Sequence, residues 1–186
     1  MGKHIQERKK WKESPFPNLY EAEPETPLCK NLARGEHTSE LRLIHHLHEV
    51  ALPFIRSLSK GYQIRKIIGI PYSSVNSVVR ELKKSFDVVM PKELSEISSL
   101  VQRTVNSTSK NIIIEEIGGY TADIADFLDN SRNVLGVVED THQGHWLWQN
   151  KNLSRLPVLS VAYSNIKRVE DNFVAQSIID GLARYL

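Results

Sequence analysis

Between Lys66 and Val161 the chain alternates short apolar runs with amphipathic stretches. Lys66-Ile67-Ile68-Gly69-Ile70, Asp87-Val88-Val89-Met90, Asn111 to Glu116, Val134 to Val138 and Pro157 to Val161 are apolar at successive positions rather than at every second one. Runs of this kind, rich in Ile and Val, belong to strands buried on both faces. Ser74 to Lys84, a stretch opened by Pro91 and running to Val105, and Thr121 to Leu128 carry the spacing of three and four that predicts helices. Strands alternating with helices predict an α/β fold: a three-layer sandwich with a parallel, Rossmann-like (flavodoxin-like) sheet and right-handed crossovers.

Upstream, Thr38-Ser39 offers a helix cap, and Leu41, Ile44, Leu47, Val50-Ala51 and Phe54-Ile55 recur at helical spacing. This predicts a helical lead-in over 39–59, kinked or split at Pro53. Residues 1–37 carry Pro15, Pro17, Pro24 and Pro27, many charges and no periodicity, and read as an extended or partly disordered leader. The division is therefore a leader, 1–37, and an α/β domain, 38–186. Downstream, two strands each end in a polar loop that opens a helix, and the final helix carries Ser177-Ile178-Ile179-Asp180-Gly181-Leu182. A helix finishing at Leu186 is expected to leave no room for the second domain that such a sheet edge usually serves.

Composition narrows this little. The chain has 186 residues, 40% apolar and 25% charged, with a net charge of +2, an ordinary globular mix. Lys3, Arg8, Lys9, Lys10 and Lys12 cluster around Trp11, but a solvated tail explains them more simply than a phosphate-binding arm, and no nucleic-acid partner is expected. Cys29 is the only cysteine, so no internal disulfide can form. The apolar runs are too short to span a bilayer, and the N-terminus lacks the apolar core of a secretory signal. Neither a membrane partner nor a compartment other than the cytoplasm is expected.

In an open parallel sheet ligands bind outside the carboxyl ends of the strands, near the switch in strand order. That rule selects Pro71-Tyr72-Ser73-Ser74, Glu115-Glu116-Ile117-Gly118-Gly119, Glu139-Asp140-Thr141-His142-Gln143, and Ser164, Asn165 and Lys167. Each has a plainer explanation. Ser73, Ser74 and Thr141 suit helix caps, Asp140 suits a helix dipole, and Gly118-Gly119 suit a tight turn. Their convergence on one edge is what favours a site. Lys167 and Asp171, four apart at a helix start, form either a surface ion pair or a lysine tuned for proton transfer.

His45, His46 and His48 fall in the expected lead-in helix, and His142 and His145 lie three apart beside Glu139-Asp140. Neither set has a metal-site signature, and no metal is expected. Trp146 and Trp148 suit packing or a partner surface better than base stacking. No G-x-G-x-x-G, no phosphate-cradling glycine loop and no G-x-S-x-G elbow occurs, so no complete dinucleotide-binding domain is encoded.

Glu139-Asp140-Thr141, Lys167, Asp171-Asn172 and Ser177-Ile178-Ile179-Asp180-Gly181 together resemble the substrate domain of S-adenosylhomocysteine hydrolase. In that family a strand ends in Glu-Glu-Thr-Thr-Thr-Gly, a second begins at Val-Pro, and Lys-x-x-x-Asp-Asn precedes a Ser-x-Ile-Asp-Gly helix. The likeness spans Ile67 to Leu186 and is closest after Gly136.

The resemblance implies a hydrolase of one-carbon metabolism that uses NAD to oxidise a ribose 3′-hydroxyl, so that homocysteine leaves and water adds. It implies that Lys167 and Asp171 handle protons and that Asp140, where the family has Glu, hydrogen-bonds the ribose. Thr141, His142 and Gln143 fall where threonines reach NAD, and Asn172 would face the nicotinamide. Ser74 and Asn76 occupy positions that hold adenine, and Glu116 would also bind substrate. Its partners would be an adenosine-type small molecule and an NAD-binding domain or subunit, with a homo-oligomer compatible.

The chain departs from the pattern at telling places. Tyr72-Ser73-Ser74 stands for His-Met-Thr. Ile117 stands at a catalytic carboxylate unless a one-residue slip brings in Glu116. Ala162 stands for Asn. A divergent substrate-binding domain is expected, inactive as a hydrolase by itself. The alternatives are a non-catalytic nucleoside-binding or interaction module that kept the fold, and a dehydrogenase-type catalytic domain acting on another substrate.

Overall fold

A computed structural model describes residues 38–183. The expected leader, 1–37, lies outside the described residues. In chain order the elements are β1 (Glu40–His45), α1 (Ala51–Gly61), β2 (Gln63–Gly69), α2 (Asn76–Leu82), β3 (Val88–Val89), α3 (Glu96–Asn106) and β4 (Ile112–Glu116). A 3-10 turn (Ala122–Ile124) leads into α4 (Ala125–Asn130), followed by β5 (Val134–Glu139), α5 (His142–Gln149), β6 (Val158–Ser160) and α6 (Asn165–Ala183).

The strands form one six-stranded sheet in the order β3-β2-β1-β4-β5-β6, with every adjacent pair parallel. The chain builds outward from β1 to β3, then returns to the other side of β1 to lay down β4, β5 and β6. The switch in strand order therefore falls between β1 and β4, where a doubly wound sheet opens its ligand crevice.

Helices cover both faces, which gives the expected three layers. On one face, Ala51, Ile55 and Leu58 of α1 and Val78, Val79 and Leu82 of α2 pack on Leu41, Leu43, Ile67 and Val88. On the other, Ile97, Val101 and Val105 of α3, Ala125 and Leu128 of α4 and Trp148 of α5 pack on Ile44, Ile112, Ile114, Val134 and Val137. Each fully buried Leu or Ile contributes about 1.5–3 kcal/mol relative to an exposed one.

The lead-in differs from expectation. Residues 40–45 form the central strand rather than the start of a helix over 39–59, and only Ala51–Gly61 is helical. Leu41, Ile44 and Leu47 share helical spacing, but Leu43 and Ile44 are both fully buried because β1 is covered on both faces. The polar residues that disguise it are neutralised inside: Arg42 Nη2 donates to Glu40 Oε2 at 2.9 Å, with both side chains almost wholly buried. Pro53 sits in the first turn of α1, where its missing N–H has no intrahelical acceptor to lose, so the helix runs through it. Among the described residues no helix is long and apolar enough to cross a membrane.

Candidate functional site at the carboxyl edge

The carboxyl ends of β4 and β5 are held by a carboxylate scaffold. Glu139, the last residue of β5, is fully buried. Its Oε1 accepts from the Gly118 N–H at 3.1 Å, the Thr141 N–H at 2.6 Å and the Thr141 hydroxyl at 2.7 Å. Its Oε2 accepts from the Gly119 N–H at 2.8 Å. The loop can wrap this carboxylate because Gly118 and Gly119 adopt φ of 104° and 68°. Gly144 is equally required, since a Cβ there would lie 2.0 Å from Glu139 Cδ.

Glu116, at the end of β4, is the second scaffold carboxylate. Its Oε1 accepts from Thr121 Oγ1 at 2.8 Å and Trp148 Nε1 at 2.7 Å, and its Oε2 from the Thr121 N–H at 2.9 Å. Burial pushes its pKa up to about 7 against the opposing pull of these donors. The expected substrate ligand Glu116 thus faces the α5 side of the sheet with both oxygens engaged.

Beside this scaffold lies a more open polar set. Lys167, in the first turn of α6, reaches back so that its Nζ stands 3.0 Å from Asp140 Oδ2. Strand geometry explains the meeting: the Val161 N–H donates to Glu139 O at 2.9 Å, holding the start of α6 against the end of β5. Glu115 occupies the position before Glu116 and points to the opposite face. Its Oε2 is closed off from solvent with no hydrogen-bond partner among the described residues. Burial first, then the charges of Asp140, Glu116 and Glu139, push its pKa up to about 8, so it is chiefly protonated at neutral pH.

Across the switch, β1 delivers His45. Its Nδ1–H donates to His46 O at 3.0 Å, which fixes the tautomer and leaves Nε2 as the basic nitrogen. Burial holds its pKa below the ordinary histidine range, partly offset by Asp140. His46, half-buried, follows directly and touches the loop after β2.

The other expected site residues fall on the same edge with different surroundings. Ser74 Oγ donates to Ile70 O at 2.8 Å and accepts from the Leu47 N–H at 3.2 Å, so it ties the β1 and β2 loops together. Asn76 is exposed at the start of α2. Thr141 caps α5, its Oγ1 accepting from the Gly144 N–H at 3.0 Å while donating its one proton to Glu139. His142 opens α5 with its ring edge-on to Tyr163, centroids 4.6 Å apart, and Gln143 beside it is exposed. Asn172 is exposed on α6. The backbone of Asp171 lies in α6, and its side chain lies outside the described part.

Sequence reasoning picked the loop that holds Glu115 without giving it a role, and passed over His45 and His46 as site residues. Once 40–45 is a strand, the rule that picked the other loops also picks His45 to His48. Among the described residues no group of three or more His, Cys, Asp or Glu side chains is arranged to hold a metal ion. No protein family matches the chain, and no curated protein matches it at a significant level, so the chemistry of this edge rests on its own residues.

Proposed function

We propose that this domain binds an adenosine-type small molecule at the carboxyl edge of its sheet, as the substrate-binding domain of a divergent S-adenosylhomocysteine hydrolase-like protein. The observation that carries the reading is the Asp140–Lys167 pair, a carboxylate and an ammonium 3.0 Å apart at the end of β5. Sugar hydroxyls suit such a pair: Asp140 accepts from one hydroxyl while Lys167 donates to another oxygen. Neutral His45 is an additional acceptor at Nε2.

NAD enters through the resemblance and would supply hydride acceptance from the ribose. Of the residues the resemblance assigns to it, Thr141 has no free hydroxyl proton, whereas His142, Gln143 and Asn172 retain polar groups at the edge. The chain's own contribution is to bind the ribose at Asp140 and to hold a proton donor at Lys167.

A second reading, a nucleoside-binding module without chemistry, is favoured by Glu116. The one carboxylate that a register slip would make catalytic is fully buried, with both oxygens bonded to Thr121 and Trp148.

Amide chemical-shift mapping with adenosine tests the proposal. Shifts concentrated at Asp140, Thr141 and Lys167 are the expected result; no shifts at millimolar adenosine, or shifts confined to the opposite edge, would refute it. A free-thiol assay with S-adenosylhomocysteine and NAD tests the expectation that this chain alone is not a hydrolase: binding without turnover is expected, and turnover abolished by Lys167→Met would overturn it.

A further inference from the structure

His46 follows β1 and Ser73 follows β2. These strands are neighbours, so both residues project from the carboxyl edge beside the switch point. His46 Nδ1 and Ser73 Oγ are directly hydrogen-bonded, although 27 residues separate them. The two loops are fastened to each other around this contact. The Leu47 N–H donates to Ser74 Oγ at 3.2 Å, the Val75 N–H donates to Leu47 O at 2.8 Å, and Ser74 Oγ donates to Ile70 O at 2.8 Å. The His46 ring is also fixed in direction, edge-on to Tyr72 at 5.9 Å and stacked with His48 at 6.3 Å.

From this geometry we propose that Ser73 and His46 are a nucleophile and general base that cleave small carboxylic esters. Burial, then the neighbouring His48, keeps His46 neutral at physiological pH, so a ring nitrogen is available to take the serine proton. Among the described residues the Ser73 hydroxyl has one other acceptor, Ile70 O at 3.4 Å, too long to compete well. Ser73 is half-buried, and Tyr72 beside it is 69% exposed, so a small acyl group can approach. Tyr72 and Tyr120 share a hydrogen bond of 3.2 Å that uses one of their two O–H protons and leaves the other for an acyl oxygen.

The Oγ–carbonyl bond forms as the hydroxyl proton passes to His46 Nδ1. The ester C–O bond then breaks, and the leaving alkoxide takes that proton. Water gives a proton to the same nitrogen as its oxygen attacks the acyl carbon; the acyl–Oγ bond breaks, the carboxylic acid leaves, and His46 returns the proton to Ser73 Oγ.

The test uses the full chain with a fluorophosphonate probe, which phosphonylates an activated serine with loss of fluoride, and reads the adduct by peptide mass. One adduct on Ser73 is expected, absent in Ser73→Ala and formed more than about tenfold more slowly in His46→Gln. Circular dichroism confirms that both variants fold. p-Nitrophenyl acetate should give a burst of nitrophenolate in the wild type. No adduct, an adduct on another residue, or an unchanged rate in His46→Gln would overturn the proposal. The nucleoside reading rests on Asp140 and Lys167, and failure here leaves it standing.

Discussion

Lys167 Nζ and Asp140 Oδ2 stand 3.0 Å apart, and the contact joins the first turn of α6 to the end of β5. The lysine side chain is 16% exposed and the aspartate 34%. The pair is neither a solvated surface bridge nor a sealed internal one, and it remains reachable by a ligand.

Glu139 is the keystone of the edge. Glu139→Ala leaves the N–H groups of Gly118, Gly119 and Thr141 without their acceptor, and should cost about 3 kcal/mol or more by chemical denaturation. Gly119→Ala should cost more than about 2 kcal/mol. It forces a side chain onto φ of 68° and puts a Cβ 2.7 Å from Gly144 Cα.

Glu115 should set a pH dependence of stability. Its pKa is raised to about 8 in the fold, so the folded state holds a proton that the unfolded chain releases above about 4.5. Stability from this group is fully present below that pH and declines as pH rises toward 8. Glu115→Gln should therefore raise the melting temperature relative to wild type more at pH 8 than at pH 5. Equal shifts at the two pH values would contradict the assignment.

Asp129 and Arg155 clamp the crossover into β6. Asp129 accepts from the backbone N–H groups of Ser154, Arg155 and Leu156 and from the Ser154 hydroxyl. These bonds, those from Ser154 and Leu156 first, hold its carboxyl well below the usual range. The sign is opposite to that of Glu115: the stability it confers is present above the ordinary aspartate pKa and is lost as pH falls through the depressed value. Asp129→Asn should lower the melting temperature at pH 7 and have a smaller effect in strong acid, measured by thermal denaturation.

Much of this architecture was legible in the sequence because Ile112-Ile113-Ile114 and Val134 to Val138 carry their burial openly. Asp140 and Lys167 could be placed at one edge from strand ends alone. β1 was not legible: a central strand covered on both faces loses alternation, and its Glu40–Arg42 pair mimics a helix's polar side. That misreading turned His45 and His46 from switch-point residues into helix decoration. Glu115 and Glu116 could not be told apart by composition. Only the pleat sends one to Thr121 and Trp148 and leaves an oxygen of the other without a partner.

Isothermal titration calorimetry of adenosine against the wild type, Asp140→Asn and Lys167→Met tests the account most directly. The expected result is saturable binding to the wild type, weakened by about tenfold or more, about 1.4 kcal/mol, in each variant with the fold intact. No binding to the wild type, or equal affinity in all three proteins, would contradict a nucleoside site built on this pair.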